Sequence, residues 1–576
     1  MTLDRYTLIV PDGMQASCRR TGDCKEEFRF TWTPGTAQDG QIVMKWRESG
    51  AGIAHEWFPT CGFDRGLRTD WYPDVYSRIS CGAPVFAFLG SDGYTRLTVA
   101  LSDAKTNIGC NFGIMEETSQ LTMRVTIPLA SFDHLGQYTF TLYLSRLQED
   151  MGRALDKVRL FWEAAGYTPM PVPEAARLPL YSAWYSYHQA TIAHLLEAES
   201  EKAAALGLKT IIVDDGWQTD DGNRGYAYCG DWEVTPRKIP DMRQHVANVQ
   251  KTGLKYMLWY SVPFIGRFSK AWSRFENKLL YTQENGNVGV LDPRYPDVRD
   301  YLIGIYHTAL REWKLDGFKL DFIDSFTMKP ESAPFMDGMD IPVLADAVDT
   351  LMQGIRAALM AEKPDILLEF RQQYIGPLMR GYGNMFRAGD CPMCPDKNRV
   401  SIVDLRMICG NTAPHSDMLM WDPADTPENG LRQLLHVIFS VPQISMRIGE
   451  LPESHVKALR FWLSFIDSHR DLLLDSPLKA DLPQFLYPVI TAGQAGRYVI
   501  GVYQPDHTAS LPEDAREIFL VNGTDDGEIL LRAPSAQAHL ETWNVTGDKV
   551  FEGDISLTRL CAVDVPVCGL ARITIR

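Results

Sequence analysis

The chain has 576 residues, 45% of them hydrophobic and 23% charged, a balance that excludes disordered, collagen-like and coiled-coil classes. At roughly 100 to 200 residues per domain this length holds about three to five domains, and a single compact core is excluded. The 57 Lys and Arg against 73 Asp and Glu leave a formal charge of −16 with no basic run or stripe, so nucleic acid is not an expected partner.

The N-terminus, from Met1 to Pro11, has no charged segment followed by an apolar stretch of roughly 7 to 15 residues and a small-residue cleavage site. Nowhere do about 18 apolar residues run together. The expectation is a cytoplasmic protein, neither secreted nor inserted in a membrane. Residues 1–172 then read as short strands with period-two alternation, such as Glu27–Trp32, Arg96–Leu101, Leu121–Ile127 and Gln137–Leu144, which predicts an N-terminal β-sandwich. A helix over Met151–Ala165 leads into a proline-rich connector, Pro169-Met-Pro-Val-Pro173.

From 173 to 478 short apolar strands alternate with amphipathic helical stretches, the mark of an α/β chain built from repeated βα units. Strands are expected at Leu180–Trp184, Thr210–Val213, Tyr256–Trp259, Gly317–Leu320, Ile366–Phe370, Asn384–Arg387, Asp417–Met420 and Gln443–Met446. Eight in about 300 residues is the size of a (β/α)8 TIM barrel. Neither G-x-G-x-x-G nor G-x4-G-K-[ST] occurs, which weakens a doubly wound alternative. Beyond 479, strands such as Arg497–Tyr503, Glu517–Val521 and Leu570–Ile575 predict a C-terminal β-sandwich. The 11 cysteines, scattered from Cys18 to Cys568, fit reduced thiols better than a disulfide framework. Cys391-Pro-Met-Cys394 has no second metal-spaced pair nearby and reads as buried or loop thiols.

In such barrels the reacting groups stand just after the strands. Those positions are polar: Trp184 through His188, Asp214-Asp-Gly-Trp217, Trp259-Tyr260, Lys319-Leu-Asp321, Glu369-Phe-Arg-Gln-Gln-Tyr374, Arg387-Ala-Gly-Asp390, Trp421-Asp422 and Arg447. Carboxylates, cations and indoles on one rim suit a polyhydroxylated substrate. Glycoside cleavage needs two carboxyl groups across the scissile bond, and Asp321 and Asp390 stand two strands apart. Side chains alternate along a strand, so Lys319 lies on the same side as Asp321 and would keep it ionised, whereas Asp390 would need a raised pKa to deliver a proton. Each acid taken alone also suits a helix N-cap, and Trp217, Trp259 and Trp421 also suit the core.

With these residues in view, the barrel resembles the α-galactosidases (melibiases) of glycoside hydrolase family 36, and more distantly family 27. The most specific parts are Asp214-Asp-Gly-Trp217, Gly230 through Pro240, Gly253 through Trp259, Leu291 through Arg299 and Asp316 through Asp321. The resemblance implies a retaining exo-α-glycosidase without metal or organic cofactor. By it Asp321 matches the nucleophile, and Asp390, followed by Arg399, the acid/base. Asp214 and Asp215 would bind the C4 and C6 hydroxyls of the sugar and Lys319 a neighbouring one. Trp184 sits where the first strand places an aromatic, and His415 resembles a His following the seventh strand.

The chain departs from the family at three strand ends. The family's Lys-x-Asp-x-Asn is Lys319-Leu-Asp-Phe-Ile323 here, its Cys and glycine-rich loop after the fifth strand is Glu369 through Tyr374, and its Glu-Pro after the third is Val262-Pro263. Arg371 would bind hydroxyls bidentately or face an acidic substituent. The expected substrate is an oligosaccharide or glycoside with a terminal α-linked galactose or related sugar, and a homo-oligomer is compatible with the chain. The alternatives are the same chemistry on an N-acetylgalactosaminide, arabinopyranoside or acidic sugar, transglycosylation, a non-catalytic carbohydrate-binding barrel, and a Mg²⁺-dependent enolase-type barrel.

Overall fold

The computed structural model describes residues 1–576 except 38, 39, 131 and 372, so Gln372 of the fifth strand-end motif lies outside the described residues. The N-terminal part forms two six-stranded antiparallel sheets from strands between Thr2 and Ser145. In the strand Gln120–Pro128 every second residue is buried. Phe28, Phe30, Trp46, Phe112 and Met123 fill the space between the sheets, as inward alternation on two packed sheets requires. A helix over Met151–Ala164 follows, its first turn capped by the Asp150 carboxylate, which accepts from the Arg153 N–H at 3.2 Å.

Eight parallel strands close into a barrel: β1 (Leu180–Ser182), β2 (Thr210–Val213), β3 (Lys255–Ser261), β4 (Gly317–Asp321), β5 (Leu367–Arg371), β6 (Met385–Arg387), β7 (Ala413–Leu419) and β8 (Val441–Ile444). Closure runs through Leu180 opposite Gln443 and Tyr181 opposite Ile444. All eight overlap the expected positions, but β7 begins four residues early. Pro414 and the polar run His415-Ser416-Asp417 disguise its first half, and these residues are nonetheless buried inside the barrel. A register shift between His415 and Met418 accommodates them. The C-terminal part holds a seven-stranded and a three-stranded sheet. All 11 cysteines are free thiols. Cys391 and Cys394 belong to a turn closed by the Cys394 N–H on the Cys391 carbonyl at 3.2 Å, just ahead of the helix Pro395–Ile408. Among the described residues, no helix is long and apolar enough to cross a membrane.

One buried carboxylate ties the three parts together. Asp404, on the helix Pro395–Ile408 of the barrel, pairs with Arg65 at 2.8 Å and accepts from the Trp57 indole at 2.8 Å and the Tyr487 hydroxyl at 2.6 Å. Arg65 and Trp57 come from the N-terminal sheets and Tyr487 from the C-terminal part. Removing one partner of a buried pair leaves an uncompensated charge, so Asp404→Ala is expected to lower the unfolding free energy by ~3–5 kcal/mol in urea denaturation. Asp404→Asn, whose amide oxygen still accepts from Trp57 and Tyr487, is expected to lose less.

Candidate active site

The C-terminal ends of β4, β5 and β6 bring a nucleophile-type carboxylate, a guanidinium and a second carboxylate to one mouth. Along β4 the alternation turns Lys319 and Asp321 to the same side, and both are buried. The chain then turns sharply: Phe322 has φ 64°, a left-handed conformation that costs a bulky residue energy and marks functional turns. The turn aims the Phe322 N–H at Asp321 Oδ1, 2.8 Å away. That oxygen also accepts from the Tyr374 hydroxyl at 2.8 Å and lies 3.2 Å from Arg371 Nε. Asp321 Oδ2 takes one donor, the Trp259 indole N–H at 3.1 Å. Burial alone would raise this carboxyl, but Arg371 first, then Lys319 and Arg387, hold it far below the usual carboxylate range. These cations favour the ionised form of Asp321, the form a nucleophile would need. The main counter-charge is Arg371, because Lys319 is engaged with Asp214 at 2.6 Å.

Asp390 follows β6 with its side chain 47% exposed at the mouth. Arg387 donates to it at 2.9 Å and Arg371 NH1 stands 3.9 Å away. The expected raised pKa is not found in the free site. Desolvation pushes the group up, but Arg387, Lys319 and Arg371 outweigh it and hold Asp390 below the ordinary Asp value. The downstream Arg399 does not reach Asp390. It is buried against Asp396, His436 and the ring of Tyr503.

Just after β2, Asp214 carries Lys319, and Asp215 accepts from Gln189 at 2.7 Å and Gln218 at 2.6 Å. Burial pushes Asp215 up to about 6 against those two donors. Trp184 stays partly exposed at the rim, its ring 4.7 Å from His188. Three aromatic assignments change. Trp217 is fully buried, with its N–H on the Trp259 carbonyl at 3.0 Å and its rings against Trp232 and Trp313, so it is core and not a sugar platform. Trp259 is buried as well and acts through Asp321. His415 does not follow β7: it is the third residue of that strand, deep in the barrel, bonded to the Ala176 carbonyl at 2.8 Å, and burial lowers its pKa to about 3. The early start of β7 carries it below the mouth.

Several residues of the site were given no role from the sequence. Tyr374 donates its hydroxyl to Asp321 Oδ1. The ring of Tyr226 lies 6.1 Å from Trp259 and 5.0 Å from Phe322, with its hydroxyl in the field of Asp321 and Asp215. Arg387, on the inner wall, bonds Asp417, which also accepts from Tyr185 at 2.9 Å. An Arg in a three-residue barrel strand was the available signal, since a buried guanidinium demands carboxylate partners.

Below Arg371 on the same strand, Glu369 accepts from Gln443, and burial pushes its carboxyl up to about 7 in spite of Lys319 and Arg387. A carboxyl of ordinary value 4.5 raised to about 7 by folding binds more protons in the native state across that window. Stability should therefore fall as pH rises from about 4.5 to 7. Glu369→Gln is expected to flatten that part of the stability curve, measured by denaturant midpoints at a series of pH values.

The sequence of residues 180–341 matches the melibiase family model. Mel36A, an α-galactosidase of Lactobacillus acidophilus, is 29% identical over 182 residues, 29% of this chain and 24% of that protein. An Escherichia coli α-galactosidase is 30% identical over 128 residues, 21% of this chain and 18% of its own length. The matched stretch thus spans a quarter or less of these relatives. Among solved structures, a variant of the family 36 α-galactosidase AgaA of Geobacillus stearothermophilus, bound to 1-deoxygalactonojirimycin, superposes with TM-score 0.67 at 15% identity. The match covers 99% of this chain and 83% of that one. The Lactobacillus brevis α-galactosidase gives TM-score 0.64 at 15% identity over 100% of this chain and 85% of that one.

Proposed function

With barrel sequence of the melibiase family and the fold of the family 36 α-galactosidases as premise, we propose that this chain is a retaining exo-α-glycosidase acting on α-galactoside-type substrates, an oligosaccharide or other glycoside. The observation that carries the reading is the pair Asp321 and Asp390 at the ends of β4 and β6, one held ionised and the other half-exposed at the mouth, with Arg371 between them.

Asp321 attacks the anomeric carbon. Its Oδ1 accepts from the Phe322 N–H and the Tyr374 hydroxyl and faces Arg371, whereas Oδ2 accepts only from the Trp259 indole and is the oxygen with lone pairs to spare. Asp390 protonates the departing oxygen. A bound glycone covers its exposed face, and that desolvation raises its pKa toward the protonated form. Once the glycosyl ester forms, the Asp321 charge is gone and Asp390 becomes the more acidic partner, so it accepts a proton from the incoming water. Interception of the ester by a sugar hydroxyl would give transglycosylation in the same site. Asp214, Asp215, Lys319, Tyr226 and Trp184 are assigned to glycone binding. The absence of a cofactor, a cytoplasmic location and a homo-oligomer remain parts of this proposal.

The test is an aryl α- and β-glycoside panel with and without chelator, followed by proton NMR of the first-formed sugar. The expected result is cleavage of an α-glycoside, insensitive to chelator, with the α-anomer appearing first. A β-anomer as first product would refute the retaining assignment, and loss of activity with chelator would favour a metal-dependent barrel.

A further inference from the structure

Among the described residues, three cations, Lys319, Arg387 and Arg371, act on the two mouth carboxylates Asp321 and Asp390, and the first two have a further counter-ion of their own. Lys319 is paired with Asp214 at 2.6 Å and Arg387 with Asp417, all four side chains being 5% exposed or less. Arg371 is different. Among the described residues its ion-pair partners are Asp321 and Asp390, the two groups that the chemistry itself consumes. It is also the one of the three that opens to the mouth, with 23% of its side chain exposed. Its guanidinium lies over the Phe322 ring, 5.0 Å from the centroid, a stacking that restricts the plane of the group.

A cation in this place works against the reaction of a neutral sugar. The transition state of glycoside cleavage carries positive charge on the anomeric carbon and ring oxygen. A guanidinium beside the nucleophile raises the energy of that charge and draws electron density from Asp321. A substrate that brings its own anion removes both penalties, since a carboxylate or sulfate engages the fork of Arg371 bidentately. Asp214 and Asp215, assigned above to hydroxyl binding, follow β2, three strands around the barrel from β5. On that assignment the glycone hydroxyls lie toward β2 and the Arg371 cation faces the opposite edge of the sugar.

We propose that the site takes a glycone bearing an oxyanion, a sulfate ester or a carboxylate, on the edge that faces β5, with Arg371 as the residue that binds it. This rests on the reading of the site as a glycosidase and narrows its substrate class.

The test uses the full-length protein and two readouts. In thermal shift, galactose 2-sulfate, galactose 3-sulfate and galacturonate are compared with galactose. At least one anionic sugar is expected to raise Tm more than galactose does, with the extra shift lost in Arg371→Gln and partly kept in Arg371→Lys. In turnover, the matching aryl α-glycoside is expected to exceed the plain α-galactoside by about 100-fold in kcat/KM, the scale of a charge-assisted pair, and Arg371→Gln should bring that ratio near one. Which sugar responds distinguishes sulfate from carboxylate. A wild-type protein with no preference for any anionic sugar overturns the proposal. So does an Arg371→Gln variant that loses activity on both substrates alike, the result expected if Arg371 only positions Asp321. Failure of the glycosidase reading is separate: it would appear as Arg371-dependent binding with no glycoside cleaved, or with turnover untouched by Asp321→Asn.

Discussion

Asp321→Ala is expected to lower kcat/KM by on the order of 10⁴- to 10⁶-fold, the scale seen when a covalent nucleophile is removed while the rest of a site stays intact. The geometry singles out this residue: it ends β4 and receives bonds from Trp259, Tyr374 and its own neighbour's N–H. Arg371 and Lys319 keep it ionised against full burial. Azide supplies the check that separates a lost nucleophile from a damaged fold. It fits the space vacated by the carboxylate, and attack from that side on an activated aryl α-glycoside gives the β-glycosyl azide. Recovery of turnover with that product identifies Asp321. Full activity of the variant without azide would remove it from the mechanism.

Asp390→Ala is expected to slow natural substrates by roughly 10²- to 10⁴-fold, the usual contribution of general acid catalysis, and to affect aryl glycosides with good leaving groups far less. A nitrophenolate departs with little proton donation, whereas a sugar alkoxide does not. Equal losses on both substrates would assign the proton to another group. The pH profile gives an independent measure. Activity requires Asp390 protonated, so kcat/KM falls as pH rises through its pKa. Arg387, Lys319 and Arg371 hold that pKa below the ordinary Asp value in the free site, which places the falling limb in the acid range. Arg371→Gln removes one of these cations, so the limb should move to higher pH, and a limb unmoved by this change would show that Asp390 is not the group titrating.

The barrel was legible because its strands are short apolar runs that end in polar residues, a pattern imposed by burial of a parallel sheet on both faces. The acids Asp214, Asp215, Asp321 and Asp390 were legible for the same reason: a charged residue at the end of an apolar run has few places to go except the rim. β7 was half hidden. Its polar interior residues are stabilised by partners on other strands, Arg387 on β6 and Gln443 on β8, and no local pattern records them. His415 was misplaced along with that strand.

What the sequence alone determined is the layout along the chain: strand spacing, alternation and the residue types at each rim position follow from local periodicity and from the hydrophobic cost of exposing them. What only the tertiary structure decided is which charges meet. Trp217 and Trp259 read alike as indoles after strands, yet one fills the core and the other donates to the Asp321 carboxylate. Lys319, two residues away, helps keep Asp321 ionised as expected, but its direct ion pair is with Asp214, 105 positions distant in the chain. Arg371, from the next strand, forms the direct ion pair with Asp321 and has the larger influence on it. Coulomb interactions and hydrogen bonds depend on separation in space, and only closure of the barrel brings β2, β4, β5 and β6 within that range.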